Sequence, residues 1–399
     1  MMLDLLNSAA RPSELTAILK VKLAGQPLKY NKPLNELATS LSDKEFCYAA
    51  LGKVSRSFAV VIRQLPEDLK DAVCVFYLVL RGLDSVEDDM NIPAEQKAEM
   101  LLAFHKLCKQ KGFKLDNVGD TEDYRQLMQH FDKVVNVYMG LNLGYRQVID
   151  NICMQMGAGM HEFTTKQVTT TADYDQYCHY VEGLVGIGLS GLFSASKHES
   201  AYLESQKVIA NSMGLMLQKT NITRDYFEDI PLGREFWPSE IWGNYANYLH
   251  EFRDNPESPQ SLAALNHMVA DALQHVPDCI AYMQMLKNPQ VFRFCAIPQV
   301  MAMATLVKVY NNPQVFTENV KVRKGLAARL MVETNDMESL TYFLEKFTHK
   351  LMGKLSIGDP NYLITKKRLH RIIEAIDETR VNHTIVPQLD THIEESVLF

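Results

Sequence analysis

No two cysteines in this sequence are spaced CxxC; the seven present, at 47, 74, 108, 153, 178, 279 and 295, are scattered singly. That argues against a zinc site or a disulfide framework and for reduced thiols in a cytosol-facing compartment. There is no long basic run, and with a net charge of −7 and a pI near 6.0 nucleic acid is not an expected partner. No run of roughly 18 or more apolar residues occurs, so no transmembrane helix is expected. The opening Met1-Met2-Leu3-Asp4-Leu5-Leu6 lacks the basic region and long apolar stretch of a secretion signal. The tail is polar and acidic from His392 to Ser396, ahead of Val397-Leu398-Phe399, and the chain is expected to be soluble. Alternating strand-like runs are almost absent, no short repeat is visible, and no Pro- or Ser-rich linker divides the chain.

What is present is helical periodicity. Residues 44–63, 66–90, 94–110, 122–138, 143–166, 173–197, 202–229, 239–252, 258–286, 289–310 and 322–353 carry apolar residues near i, i+3, i+4 and i+7. Pro66, Pro93 and Pro238 suit helix starts, and residues 111–121 read as an exposed loop. A chain of 399 residues with 47 % hydrophobic composition can bury a large core. Without a linker, one all-α domain is expected despite that length. The ends, about 40 residues at the start and about 25 at the finish, read as peripheral.

Two acidic clusters are embedded in this apolar pattern, Asp84-Ser85-Val86-Glu87-Asp88-Asp89 and Asp225-Tyr226-Phe227-Glu228-Asp229. Each places aspartates at i and i+4 with a glutamate at i+3, so on a helix the carboxylates project from one face. Such an arrangement repels itself unless a cation neutralises it, and all-oxygen sites suit Mg²⁺ shared with substrate phosphates. Two clusters facing each other across a helical cavity would hold a diphosphate through metal ions. Asn221 continues the second cluster upstream as Asn-x3-Asp-x3-Asp, with Gln218 nearly one turn further. Arg81 and Arg224 flank the clusters, and arginine suits bidentate capture of phosphate oxygens. The competing reading is of surface salt bridges on solvated helices.

Three further segments carry chemistry. Ser55-Arg56-Ser57, with Val54 and Phe58 on either side, is a hydroxyl-rich basic segment at a helix bend, readable as a phosphate contact or as a plain cap. Tyr177-Cys178-His179-Tyr180 leads into glycines 183, 186, 188 and 191, which at about 1 kcal/mol each against alanine must serve close packing or ligand room. Val320-Lys321-Val322-Arg323-Lys324-Gly325 reads either as a solvated helix face or as a site for an extra phosphate such as the one that distinguishes NADPH. Phe292, Phe294, Pro298, Met301 and Met303 read as core or as the wall of a long apolar pocket.

Taken in their order and spacing, these motifs resemble the eukaryotic-type squalene synthase family of head-to-head isoprenoid synthases over roughly residues 43–350. Arg234-Glu235-Phe236-Trp237-Pro238 and Tyr310-Asn311-Asn312 add to the match. The resemblance implies an all-α, single-domain isoprenoid synthase fold with helices around a central cavity. The catalytic domain would span 43–350, behind a peripheral segment 1–42 and ahead of a C-terminal helix and polar tail over 351–399. It implies that two farnesyl diphosphates condense to presqualene diphosphate, which NADPH then reduces to squalene. Asp84, Glu87 and Asp88 match a first Mg²⁺ motif, and Asn221, Asp225 and Asp229 a second. Ser55, Arg56, Ser57, Arg81 and Arg224 match phosphate contacts, and Lys321 and Arg323 the NADPH segment. Tyr177 matches a proton-handling residue, with Phe58 and Phe294 as aromatic walls near the cation. A monomer is implied, touching membranes only peripherally. Glu182 and Gly191 depart from the alanine and the basic or polar residue frequent there, and the C-terminal anchor typical of eukaryotic members is missing. The place implied is the cytosolic face of the endoplasmic reticulum if an anchor has been removed, and the cytoplasm otherwise. Rival readings are a non-reductive head-to-head synthase, making presqualene diphosphate, dehydrosqualene or phytoene, and a non-catalytic helical lipid-binding protein.

Overall fold

The structure, a computed structural model, describes residues 12–24 and 32–394; the chain ends, the side chains from 382 onward and those of Pro12, Leu15, Leu19, 22–24, Arg56 and Ser57 lie outside it. Among the described residues every regular element is a helix. The apolar periodicity therefore translated directly into architecture, but several expected helices are divided. The 44–63 segment is Asp43–Val54 and Arg56–Ile62, with Ser55 between them at φ −154°, ψ 89°. The 122–138 segment breaks at His130, and 173–197 contains a five-residue π-turn, His179–Gly183. The 202–229 segment is three pieces, of which Lys207–Arg224 is the long one. Pro66, Pro93 and Pro238 each sit one residue before the first helical residue, as N-caps.

Two helices position the site. Glu67–Asp88 buries an apolar stripe that includes Leu69, Val73, Phe76, Leu80 and Leu83, which leaves the other face of its last two turns to carry charge. Lys207–Arg224 is the central helix, packed by Leu184–Ala195, Pro259–Leu273, Val276–Met285 and Pro289–Val309. Part of that packing needs bare backbone: a Cβ on Gly186 would stand 2.2 Å from the Ala210 carbonyl oxygen. The glycine-rich stretch thus serves close helix approach, and Gly186 also borders the cavity.

Pro289–Val309 is long and apolar enough to cross a bilayer by length and composition alone, which the absence of an unbroken apolar run had not suggested. It is a core helix, however, with Phe294, Ile297, Val300 and Met303 buried against its neighbours. The flanking segments also pack. Pro12–Ala24 lies against Lys324–Glu333, where Glu14 pairs with Arg323 at 2.8 Å, and Leu369, Ile372 and Ile376 of the last helix are fully buried.

Candidate active site

Between the two long helices lies a cavity with room for about 120 Å³ of solvent centres. Its wall is apolar, drawn from Phe58, Phe76, Leu80, Val185, Leu217, Phe294 and Pro298 among others, and its charged lining residues are Arg81, Asp84 and Glu182.

The first acidic cluster closes the Glu67–Asp88 helix at the cavity mouth. Burial pushes Asp84 up to about 6, against an opposing Arg81 at 3.3 Å. Glu87 is pushed up to about 8 by burial and by its neighbours Asp84 and Asp88. Asp88 is raised too, by burial, although Arg234 pairs with it at 3.0 Å. Asp89 behaves differently. Burial would raise it, but hydrogen bonds from the Gly119 amide (3.0 Å) and the Asn91 amide (2.9 Å) outweigh burial and hold it below its usual value. It is the structural cap of the helix end.

The second cluster sits where the Lys207–Arg224 helix breaks. Trp237 Nε1 donates to the Ile222 carbonyl at 3.1 Å, and Asp225 turns to φ −92°, ψ 11°. The i→i−4 register nevertheless continues, with the Asp225 amide on the Asn221 carbonyl (2.9 Å) and the Asp229 amide on the Asp225 carbonyl (3.0 Å). The expected Asn221–Asp225–Asp229 ladder therefore survives an interrupted helix. Glu228 is the exposed member of the cluster, and its charge still acts on Asp229 and Arg224. Asp229 is pushed up to about 7 by burial and then by Asp225, with a further contribution from Asp88 of the first cluster. The clusters are thus close enough to feel each other. Arg234 stands between them: Gly233, at φ 70°, turns the chain back through the left-handed conformation that suits glycine. The Arg234 amide then donates to the Asp229 carbonyl (3.1 Å), while its guanidinium pairs with Asp88.

Arg224 is engaged with its neighbour Asp225, Nε to Oδ1 at 2.7 Å. Arg81 lies 5.2 Å from the Tyr124 ring centre, and its Nε is buried without a hydrogen-bond acceptor among the described residues. Tyr177 is buried, stacked on Phe236 at 5.0 Å and edge-on to Phe163 at 5.2 Å. Burial, then Glu87 and Asp88, raise it well above the ordinary phenol value, so it is held protonated beside the first cluster. Phe58 and Phe294 line the cavity. His179 is satisfied, with Nδ1 at 2.7 Å from Asn211 Oδ1, and Tyr180 donates to Glu162 at 3.0 Å. Ser55 occupies the helix bend; Arg56 and Ser57 next to it fall outside the described side chains. Lys321 and Arg323 are not brought to the cavity wall. They precede the Lys324–Glu333 helix, which Arg293 of the cavity helix ties in through a hydrogen bond to the Met331 carbonyl (3.3 Å).

Among the described residues no three carboxylates converge into a ready metal cage. The physical reason is visible: like charges spread apart, toward Arg81, Arg224 and Arg234. The donor set still fits a hard cation, because desolvated, crowded carboxylates held at about 6 to 8 carry a surplus of negative potential. Sequence reasoning placed no role on Arg234 or Glu182. Arg234 lies within a recognised motif, but nothing in its spacing from Asp88 signals a pairing across so long a separation.

The raised carboxyls make a pH prediction. Asp84, Glu87 and Asp229 bind protons more tightly folded, at about 6, 8 and 7, than at their ordinary values of 3.8, 4.5 and 3.8. The stability they lend is therefore present in full below their ordinary values of 3.8 to 4.5 and lost as pH rises from there through the folded values of about 6 to 8. The melting temperature of the metal-free chain should fall across that window, and Mg²⁺ with inorganic pyrophosphate should flatten the fall. Calorimetry in matched buffers checks this, and a flat metal-free profile would contradict it.

An all-helical shell around an apolar cavity with Asp84 on its wall, and a second carboxylate cluster near the first, fits the isoprenoid synthase class. Residues 51–325 match the squalene/phytoene synthase family, and the chain belongs to that family. It is 46 % identical over 366 residues to the squalene synthase of Nicotiana benthamiana, covering 91 % of this chain and 86 % of that one. To squalene synthase LSS of Botryococcus braunii it is 48 % identical over 347 residues, covering 85 % and 74 %. The solved complex of TcSQS with the ligand BPH1237 superposes with a TM-score of 0.82 at 45 % identity, covering 84 % of this chain and 99 % of that one. A dehydrosqualene synthase structure shares the fold alone, with a TM-score of 0.51 at 18 % identity.

Proposed function

We propose that this chain joins two farnesyl diphosphates head to head into presqualene diphosphate and then reduces that intermediate to squalene. What supports the reading is Asp84 on the wall of an apolar cavity, with the second ladder near enough for Asp229 to feel Asp88 of the first. Asp84, Glu87 and Asp88 on one side, and Asn221, Asp225 and Asp229 on the other, would hold Mg²⁺, which when bound neutralises a diphosphate leaving group. Lys321 and Arg323, at a helix start that favours anions, would hold the extra phosphate of NADPH, whose chemistry is hydride donation.

The chain's own residues do the rest. Arg81, Arg224 and Arg234 offer guanidinium groups to diphosphate oxygens and trade their present carboxylate partners for them. Ser55, Arg56 and Ser57 add phosphate contacts from the bend beside the cavity. Ionisation at the mouth leaves an allylic cation facing apolar walls that keep water away from it. Phe58 and Phe294 present ring faces to that charge. The double bond of the second chain attacks it, closing the cyclopropane. Tyr177, a neutral phenol beside the departing diphosphate, would relay the proton released in that closure, passing its own O–H proton to a diphosphate oxygen as it takes up the new one.

Incubation with farnesyl diphosphate and Mg²⁺, with and without NADPH, tests the reading. Squalene should form only with NADPH, and presqualene diphosphate should accumulate without it. Dehydrosqualene or phytoene-type products irrespective of NADPH would remove the reductive half. No C30 product under either condition would favour a lipid-binding protein.

A further inference from the structure

A second cleft lies at the other end of the Glu67–Asp88 helix from its carboxylates, between the start of that helix and the start of Pro289–Val309. It is polar, with room for about 570 Å³ of solvent centres, and is lined by Arg63, Gln64, Glu67, Lys70, Gln290 and Arg293 among others. Three of these side chains are cationic and one is anionic, a surplus of two positive charges. Glu67, the carboxylate among them, is already engaged by Lys70 at 2.7 Å and Lys44 at 4.0 Å. Of the acids nearby, Asp68 pairs with His198 at 2.9 Å and Asp71 with Lys44 at 2.5 Å. Neither arginine has an ion pair among the described residues. Each is held by a backbone carbonyl instead: Arg63 donates to that of Tyr48 at 3.1 Å, and Arg293 to that of Met331 at 3.3 Å. The Nε of Arg293 is buried with no acceptor among the described residues. Gln290 Nε2 donates to the Gln64 carbonyl at 2.9 Å and ties the two rims together. Guanidinium groups fixed in this way, with N–H donors to spare and no carboxylate to take them, suit the oxygens of a phosphate group.

We infer that the Arg63–Arg293 cleft is a second phosphate-group site, which holds its ligand without a metal ion. It is separate from the carboxylate clusters, because Lys70 and Asp84 lie fourteen residues apart on one helix, about 21 Å at 1.5 Å per residue. Carboxylates need a cation before they can share phosphate oxygens, whereas in this cleft the side chains supply the positive charge themselves. Arg63 and Arg293 reach the ligand from different elements, and Lys70, its side chain 19 % exposed, adds a point charge. The cleft also shares a wall with the apolar cavity: Ile62 and Phe294 line that cavity and are the chain neighbours of Arg63 and Arg293. A bound phosphate group therefore braces the Arg56–Ile62 helix against Pro289–Val309 behind the cavity wall. A free diphosphate and the headgroup of an anionic phospholipid offer the same chemistry. The inference stands whether or not the proposed reaction does.

The test is titration calorimetry with sodium pyrophosphate in EDTA at low salt, comparing wild type, Arg63→Gln/Arg293→Gln and the charge-retaining Arg63→Lys/Arg293→Lys. EDTA leaves the carboxylate clusters without a cation, so they repel the probe. Binding should weaken at least about tenfold in the Gln pair and fall in between for the Lys pair. Glutamine keeps an N–H donor for the Tyr48 and Met331 carbonyls, so circular dichroism should show the fold retained. Lys70→Gln, which touches neither carbonyl, should weaken binding about threefold and carries the test if the pair misfolds. Flotation with phosphatidylcholine vesicles, with and without about one-fifth phosphatidic acid, separates the two sources. Recovery on the acidic vesicles that the Gln pair loses assigns a lipid headgroup, and pyrophosphate binding without such recovery assigns a free diphosphate. No binding by the wild type in either arm overturns the inference, as does a Gln pair indistinguishable from wild type in both. A Lys pair as weak as the Gln pair also overturns it, because packing rather than charge would then be the cause.

Discussion

Substituting Asp84 by Asn, or Asp225 by Asn, is expected to lower squalene formation about a thousandfold while leaving the fold intact. The size of the effect follows from the chemistry, since neutralising a diphosphate leaving group supplies several kcal/mol of transition-state stabilisation and each ~1.4 kcal/mol is a factor of ten. The two sites are not equivalent in the resting chain. Asp84 lines the cavity beside Arg81 at 3.3 Å, and its carboxyl is already held up at about 6 by burial. Making it an amide removes a buried charge and one source of repulsion on Glu87, so the metal-free Asp84→Asn protein should melt no lower than wild type. Asp225 is bound to Arg224 through Nε at 2.7 Å, and Asp225→Asn releases that guanidinium at the point where the helix breaks. Its melting point should move little, because Trp237 and the Tyr226 hydroxyl, on the Leu249 carbonyl at 2.7 Å, hold the break from the other side. Single-turnover formation of presqualene diphosphate, with thermal melts on the same samples, separates chemistry from folding. Turnover within a few-fold of wild type in either variant would refute the two-ladder mechanism.

The parts of this site that were legible in the sequence are those whose chemistry repeats at helical spacing. Asp84 and Asp88, and Asn221, Asp225 and Asp229, stand out because polar groups four residues apart in apolar surroundings need partners. The bend at Ser55 was legible from its hydroxyl-rich segment, whereas the breaks at His130 and Asp225 were less so, because the apolar phase runs through them undisturbed. Trp237, which donates to the Ile222 carbonyl, is fifteen residues away. Distance along the chain also hid Arg234: its pairing with Asp88 depends on the positive-φ turn at Gly233 and on how two far-separated helices meet. Glu228 is the exposed member of the second cluster, which spacing alone does not tell. Within the first cluster, composition could not separate Asp89 from Asp88, since only the loop that carries Gly119 makes Asp89 a cap.

The same helix that carries Asn221 has a second charged centre on its far side, and breaking it should have the largest effect on stability. Lys219 is fully buried, with its ammonium 2.5 Å from Asp271 and 2.5 Å from Asp175. It also lies 5.1 Å from the ring of Tyr174. Burial would lower its proton affinity, but the two aspartates more than offset that and keep it charged. Asp271 is nearly enclosed, whereas Asp175 is half exposed, so the two carboxylates respond differently when the cation goes. Lys219→Met strands Asp271 with only a long contact to Arg368 at 3.9 Å and a hydrogen bond from Gln274 at 2.8 Å. A stranded buried charge of this kind costs about 3–5 kcal/mol. The double variant Lys219→Met/Asp271→Leu removes the stranded charge with the cation and should regain most of that loss, because Asp175 can turn to water. Denaturant melts of the single and double variants check this, and a double variant as unstable as the single would mean that packing, not charge, holds the three helices. Activity should follow stability only in part. Asp175 lies on the Thr171–Cys178 helix two residues from Tyr177, so Lys219 fixes the phenol proposed to handle the proton relative to the proposed metal ladder that begins at Asn221. Even the restabilised double variant should therefore show a lower kcat for presqualene diphosphate formation, with its KM for farnesyl diphosphate nearly unchanged.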